Sequence, residues 1–223
     1  MIQAPNPSLP RRGRPQLLIA AVLAALQLGA CAPLVIGGAM VGGTLMYVDR
    51  RSTGAQVEDQ AIELKASRRV GELLGDRGHV NATSYNRTVL LTGEVPTEAD
   101  RTAVEQAVQQ IDNVRSTVNE LAVGFPSSIS SRSNDSFLTT KVKATFVDAK
   151  DLQANAIKVV TERGNVYLMG RVTEREANRA SDLARSVSGV QKVVRVFEII
   201  SEAELADLTP KPAPAASGEP AKK

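Results

Sequence analysis

Cysteine and histidine are close to absent from this 223-residue chain: each occurs once, as Cys31 and His79. A single cysteine rules out an intrachain disulfide, so stability has to come from apolar cores. One histidine and one cysteine exclude a metal centre built from His and Cys ligands. Any Ser-His-Asp triad would have to use His79, which reads as a loop residue before the first strand. No G-x-G-x-x-G or phosphate loop is present. Carboxylate pairs such as Glu174 and Glu176 occur, but helix capping already accounts for Glu176. The chain is therefore expected to be non-enzymatic, with no cofactor and no metal. Long apolar runs are missing too. Leu17 to Leu28 covers 12 residues and the stretch 32–48 covers 17, both short of the roughly 20 residues that a membrane-spanning helix needs.

The first thirty residues have the three zones of a secretion signal. Arg11, Arg12 and Arg14 give positive charge, Leu17 to Leu28 an apolar run, and Gly29-Ala30 a small-residue cleavage site. Leu28-Gly29-Ala30-Cys31 is a lipobox, and residues 1–30 are similar to the signal peptides of bacterial lipoproteins. That resemblance implies that Cys31 is lipidated: diacylated on sulfur, made residue one by cleavage, then N-acylated. One myristoyl chain binds a membrane only marginally, at about 0.8 kcal/mol per buried methylene, so three chains should anchor the protein durably. Ala32, in place of an aspartate, resembles the pattern sent on to the outer membrane. Three of the 27 basic residues and none of the 24 acids lie in the signal, leaving 24 of each sign. The basic isoelectric point then gives no reason to expect a nucleic-acid partner.

Residues 31–56 read as the acylated cysteine and a glycine-rich tether. Gly37-Gly38 and Gly42-Gly43 would also suit a close contact between helices. Two similar units follow, at 57–124 and 134–200. Val89-Leu90-Leu91-Thr92-Gly93-Glu94-Val95 in the first corresponds to Val166-Tyr167-Leu168-Met169-Gly170-Arg171-Val172 in the second, at an offset of 77. Beyond Pro96 the offset is 76, matching Thr97 with Thr173, Asp100 with Glu176 and Val118 with Val194. A repeat this long is a duplicated domain and not a solenoid module.

In the first unit, Val57, Ala61, Leu64, Val70 and Leu73-Leu74 predict a helix over 57–74. Residues 80–85 and 88–95 alternate around Asn86-Arg87 and predict a hairpin. Thr97 to Asp100 fits a capping box, and Val114 to Val123 is the last strand. In the second unit, Asn134-Asp135 would cap a helix over 136–148, and Arg163-Gly164 would turn a hairpin. Thr173 to Glu176 repeats the capping box, Gly189 is placed to end the following helix, and Val190 to Ile200 is the last strand. The fold class is α+β: each unit is α-β-β-α-β, with a three-stranded mixed sheet and both helices on one face. The serine-rich stretch 125–133 reads as a flexible linker, and 201–223, with its prolines, as a disordered tail.

The segment 136–148 is the most informative for function. Leu138, Val142, Thr145 and Phe146 share a core stripe. Phe137, Thr140, Lys141, Lys143, Ala144 and Val147 lie beside or opposite it, mixing an aromatic, β-branched groups and two lysines. Such a face suits a membrane interface, where apolar groups enter the headgroup boundary and cations meet phosphate. It would equally suit packing of Phe137 on the other unit beneath an ordinary solvated face. Charge favours the second unit for an anionic surface: 58–124 carries 7 bases and 11 acids, 134–200 carries 11 bases and 8 acids. Arg185 and Lys192 are further candidate cations.

The V-x-L-x-G-x-V strand leading into T-E-R-E-A and then V-S-G-V, set in a duplicated α-β-β-α-β frame, resembles BON domains. With the lipobox, residues 28–200 are similar to the dual BON-domain outer-membrane lipoproteins, the division- and outer-membrane-stress-associated lipid-binding family. The resemblance implies that the second unit recognises anionic phospholipid such as phosphatidylglycerol or cardiolipin, and the outer face of 136–148, with Phe137, Thr140, Lys141, Lys143, Ala144 and Val147, is where that contact is expected. It further implies an outer-membrane location facing the periplasm with enrichment at the division septum, and a role in envelope integrity. The alternative is an interaction scaffold that bridges envelope proteins or the cell wall without binding lipid.

Overall fold

The structure, a computed structural model, describes residues 49–208. The lipobox with Cys31, the glycine-rich stretch to residue 48 and the tail from 209 lie outside the described residues. The first repeat contains α1 (Thr53–Leu74), β1 (His79–Tyr85), β2 (Thr88–Val95), α2 (Glu98–Gln109), β3 (Ser116–Asn119) and β4 (Ala122–Val123). The second contains α3 (Ile129–Asp148), β5 (Ile157–Glu162), β6 (Asn165–Val172), α4 (Glu174–Ser186) and β7 (Lys192–Ile199), followed by α5 (Glu202–Leu208). In each repeat a hairpin sets two strands antiparallel, and the helical crossover returns the last strand parallel to the middle one. The sheet orders are β1-β2-β3 and β5-β6-β7.

The two hairpin turns are built alike. Asn86 and Arg87 both take positive φ (48° and 67°), as do Arg163 and Gly164 (53° and 74°), the backbone of the tightest hairpin turns. Three of these four residues have side chains, so the turn needs a second support. It comes from a carboxylate on the preceding helix. Asp59 accepts from the Asn86 and Arg87 N–H groups and the Ser84 hydroxyl; Asp135 accepts from the Arg163 and Gly164 N–H groups, each at 2.8 Å. Asp135 therefore does not cap its helix. The glycine of the shared strand motif also has a local cause: a Cβ on Gly93 would stand 2.0 Å from the His79 carbonyl oxygen, and one on Gly170 would stand 2.5 Å from that of Ala156.

Several boundaries differ from the sequence expectation. Ser128 caps α3 by accepting from the Ser131 N–H, so half of the expected linker is helix. Ser52 caps α1 in the same way, and α1 turns its Ile62, Ala66 and Leu74 inward while Val57 and Leu64 face solvent. The last strand of the first repeat is interrupted: the Asn119 side-chain oxygen accepts from the Leu121 N–H, which breaks the ladder and turns Leu121 into the core. The capping box is complete only at Thr173, where Glu176 returns to the Thr173 N–H. Asp100 is one methylene shorter and instead accepts from the Thr97 hydroxyl. Residues 202–208, expected as tail, form α5. Glu202 and Glu204 in its first turn complement the helix dipole, and Arg171 pairs with Glu204.

Each sheet buries one face on its own helices. Val89, Leu91, Val95, Val104 and Val108 make the first of these cores; Val166, Leu168, Val172, Ala177, Ala180 and Val142 make the second. Successive strand residues point to opposite faces, so Leu90, Tyr167 and Met169 point away from the helices. They meet in a third cluster with Tyr85, flanked by Val118, Val160, Val194 and Val196. The two repeats thus pack sheet against sheet, in four layers ordered helix, sheet, sheet, helix.

Polar bonds close the rim of this seam. Lys158 reaches Glu63 at 2.8 Å and the Ser84 carbonyl oxygen, Asn86 donates to Glu198 at 2.6 Å, and Asn81 donates to Glu162 at 3.1 Å. Arg50 crosses from the tether to the second repeat, forming two bonds to the Glu176 carboxylate at 2.7 and 2.8 Å, with both side chains buried.

Candidate functional site

The outer face of α3 is where the chain places the residues singled out from its sequence. At about 100° per residue, Ile129, Thr140 and Val147 lie opposite Leu138 and Val142. Leu138, Val142 and Phe146 are at most 3% exposed, which fixes the rotation of the helix. Phe137, Thr140, Lys141, Lys143, Ala144 and Val147 are all exposed. The Phe137 ring is 60% exposed and belongs to neither helix-side core nor to the seam. Val147 is 70% exposed.

The two lysines differ. The Lys141 ammonium sits 5.0 Å from the centre of the Phe137 ring and 3.5 Å from the Ser188 carbonyl oxygen, a long contact that holds it weakly. Lys143 makes no hydrogen bond or ion pair with the described residues. It lines a cavity of about 350 Å³ together with Asp49, Arg51, Tyr85 and Val147. The face therefore presents an open aromatic ring, a branched apolar group and two cations that make no ion pair within 4.0 Å among the described residues.

The early start of α3 adds residues that the sequence reading missed. Ile129, one helical face with Thr140 and Val147, is 82% exposed, and Phe125 just before the helix is 97% exposed. From Ile129 to Val147 this face runs about 27 Å at 1.5 Å per residue, with the apolar side chains at its two ends and Ser133, Ser136 and Thr140 between them. The signal was an isoleucine and a phenylalanine inside a serine-rich stretch, discounted because the stretch was assigned to a linker.

Other cations are less free than their sequence positions suggest. Arg185 pairs with Asp182 at 2.9 Å and Lys192 lies 4.0 Å from Glu120 of the first repeat. Lys158 and Arg163 likewise face Glu63 and Glu94. The opposite charges of the two repeats thus serve the seam between them, and only part of the second repeat's positive charge looks outward. His79 is not a loop residue: it is the first residue of β1, with Nδ1 3.5 Å from the buried Glu94 carboxylate.

Two buried acids are held ionised by their partners. Burial alone would raise Asp59, but the Ser84 hydroxyl, the Arg87 and Asn86 N–H groups and Arg51 outweigh it and lower its pKa from 3.8. Glu176 is pushed up by burial and pulled down further by Arg50 and the Thr173 N–H, for a net lowering from 4.5. Both carboxylates serve the fold, Asp59 at the hairpin turn and Glu176 at the cap of α4.

Comparison with known proteins agrees with the duplicated frame. The chain is 38% identical over 180 residues to the outer membrane lipoprotein DolP of Haemophilus influenzae, covering 79% of this chain and 92% of that protein. It is 31% identical over 155 residues to the 21 kDa hemolysin of Actinobacillus pleuropneumoniae, covering 69% and 80%. It is 26% identical over 148 residues to the osmotically-inducible protein Y of Escherichia coli, covering 63% and 72%. The BON domain pattern matches residues 58–124 and 134–201, the two repeats just described. With two such matches over most of its described length, the chain belongs to the BON-domain family and carries the domain twice.

Proposed function

We propose that this protein is a lipid-anchored outer-membrane protein, held through acylated Cys31 and facing the periplasm, whose second BON domain docks on anionic phospholipid through the outer face of α3. The observation that carries this reading is the open Phe137 ring beside Lys141, on the helix face turned away from the core. The likeness to an outer membrane lipoprotein over 92% of that protein's length supports the compartment. Enrichment at the division septum and support of envelope integrity follow from the same family reading.

The magnitudes suit a reversible contact. Each cation near an anionic surface contributes about 1 kcal/mol, and burying a phenylalanine contributes about 1.5–3 kcal/mol. With two lysines these give roughly 3.5–5 kcal/mol, near millimolar affinity for the helix alone. The acyl anchor supplies the compartment and a high local concentration, so α3 has only to favour one kind of headgroup.

The test is a titration of the 49–208 body with micelles or vesicles containing phosphatidylglycerol or cardiolipin, followed residue by residue by NMR. Shifts should concentrate on 129–148, and Phe137→Glu should abolish them while the far-UV spectrum stays unchanged. Shifts that leave α3 untouched would overturn the lipid reading, and retention of an envelope protein partner by Phe137→Glu would favour the scaffold.

A further inference from the structure

At the rim of the seam between the two BON domains lies a polar cluster whose charge the seam contacts leave only partly met. His79 opens β1 and faces Glu94 across the hairpin. Glu162, the last residue of β5, reaches the same point from the second domain. One ligand atom from each of the three, His79 Nδ1 and a carboxylate oxygen of Glu94 and of Glu162, lie within 4.8 Å of one another. Glu94 is 1% exposed and Glu162 is 5% exposed.

These groups are not satisfied by what surrounds them. His79 Nδ1 and Glu94 Oε1 are buried without a hydrogen-bond partner. The Ser127 N–H donates to the other oxygen of Glu94 at 3.0 Å, and Asn81 donates to Glu162 at 3.1 Å; both contacts orient the carboxylates and neither carries a full charge. Arg163, with its side chain half exposed, brings Nε to 3.9 Å from Glu94, and Arg132, which lines the adjoining cavity, donates from Nε to the Ser127 hydroxyl and makes no ion pair with Glu94 or Glu162 within 4.0 Å. Burial, with Glu94 and Asp135 adding to it, pushes the Glu162 carboxyl up from 4.5 despite the Asn81 bond and His79. Two carboxylates this deep and this close repel unless a positive charge stands between them.

We propose that His79, Glu94 and Glu162 form a binding site for a divalent transition-metal ion of the zinc type, which ties the first BON domain to the second. One imidazole nitrogen and two carboxylate oxygens are a ligand set zinc accepts, and at bond lengths of about 2.0 Å tetrahedral ligands stand about 3.3 Å apart. The His79–Glu94 pair is already at 3.5 Å, and with all three ligand atoms within 4.8 Å, closing the site needs Glu162 to move by at most about 1.5 Å to reach that spacing. An adjoining cavity of about 160 Å³, lined by Asn81, Asp135, Thr139 and Glu162 among others, has room for a water as fourth ligand. Asp135 itself is committed to the hairpin turn through both oxygens. Arg163 competes for Glu94 and has to swing outward when the ion enters, so Arg163→Ala should bind more tightly.

The chain's single histidine makes the test direct, because the imidazole ¹⁵N signals of the whole protein belong to His79. The full chain in detergent is titrated with zinc chloride at pH 7. The proposal expects a stoichiometric shift of those signals complete below 100 µM zinc, at least tenfold weaker binding in Glu162→Gln, at least threefold tighter binding in Arg163→Ala, and a higher thermal midpoint with zinc than with magnesium. Signals that move with pH alone and ignore zinc up to 1 mM would overturn it, showing that the cluster takes a proton and not a metal. Equal zinc affinity in Glu162→Gln would overturn it too. If that variant does not fold, X-ray absorption of the zinc-loaded native protein decides: one nitrogen and only oxygens support the site, and a shell without nitrogen sinks it.

Discussion

Asp59 and Asp135 each solve a problem set by a single turn. A two-residue hairpin with side chains at positive φ is strained, and a buried carboxylate that accepts both turn N–H groups makes that conformation the favourable one. The pH consequence has a definite sign. Asp59 ionises below its ordinary 3.8 and Glu176 below its ordinary 4.5, so the unfolded chain holds more protons than the native one in that range. The stability they contribute is complete above about pH 4.5 and is lost as pH falls through their lower native values. Urea midpoints measured from pH 6 down to pH 2.5 should therefore drop steeply below pH 4.5, and Asp59→Asn should be less stable at pH 6 with a flatter acid limb. A limb unchanged in Asp59→Asn would place the acid sensitivity elsewhere. At this scale the sequence was partly legible. Both turns and both threonine caps could be read from local residue types. Asp135 was misassigned because aspartate suits a helix cap as well as a turn. The His79–Glu94 juxtaposition follows from the hairpin register alone, whereas Glu162 enters only through the packing of one domain on the other.

Among the elements, α3 decides the function proposed, and its length matters more than its composition. Serine at 127, 128, 130, 131 and 133 is what a flexible linker looks like, yet serine is also among the best N-cap residues, and Ser128 is used that way. The sequence therefore fixed the rotation of α3 through Leu138, Val142 and Phe146 but not its start. The added turns carry Ile129 onto the face that already bears Thr140 and Val147. If that face is the membrane contact, Ile129→Glu should weaken vesicle binding about tenfold, the equivalent of about 1.4 kcal/mol, while leaving the thermal midpoint within a degree or two. Co-sedimentation with phosphatidylglycerol vesicles would measure it, and full binding by the variant would confine the contact to the C-terminal half of the helix.

For the whole molecule, the arrangement of the two domains was the least legible feature, although its trace is present. Val89-Leu90-Leu91 and Val166-Tyr167-Leu168-Met169 are apolar on consecutive positions, the pattern of strands covered on both faces, and not the strict alternation of a sheet with one face in water. The seam should make the two domains unfold together. Leu90→Ala, at a fully buried position facing Tyr167 and Met169, should cost about 2–5 kcal/mol and lower one shared transition. Two separate transitions by calorimetry, with only the first displaced, would mean that the sheets communicate little.

The seam also has an internal symmetry. Leu90 and Tyr167 are counterparts in the duplication, as are Val118 and Val194, and all four line the same interface. A surface that meets its own copy is the signature of a two-fold homodimer. Within one chain the same arrangement lets the two halves differ, and they do: the first carries 7 bases and 11 acids over 58–124, the second 11 bases and 8 acids over 134–200.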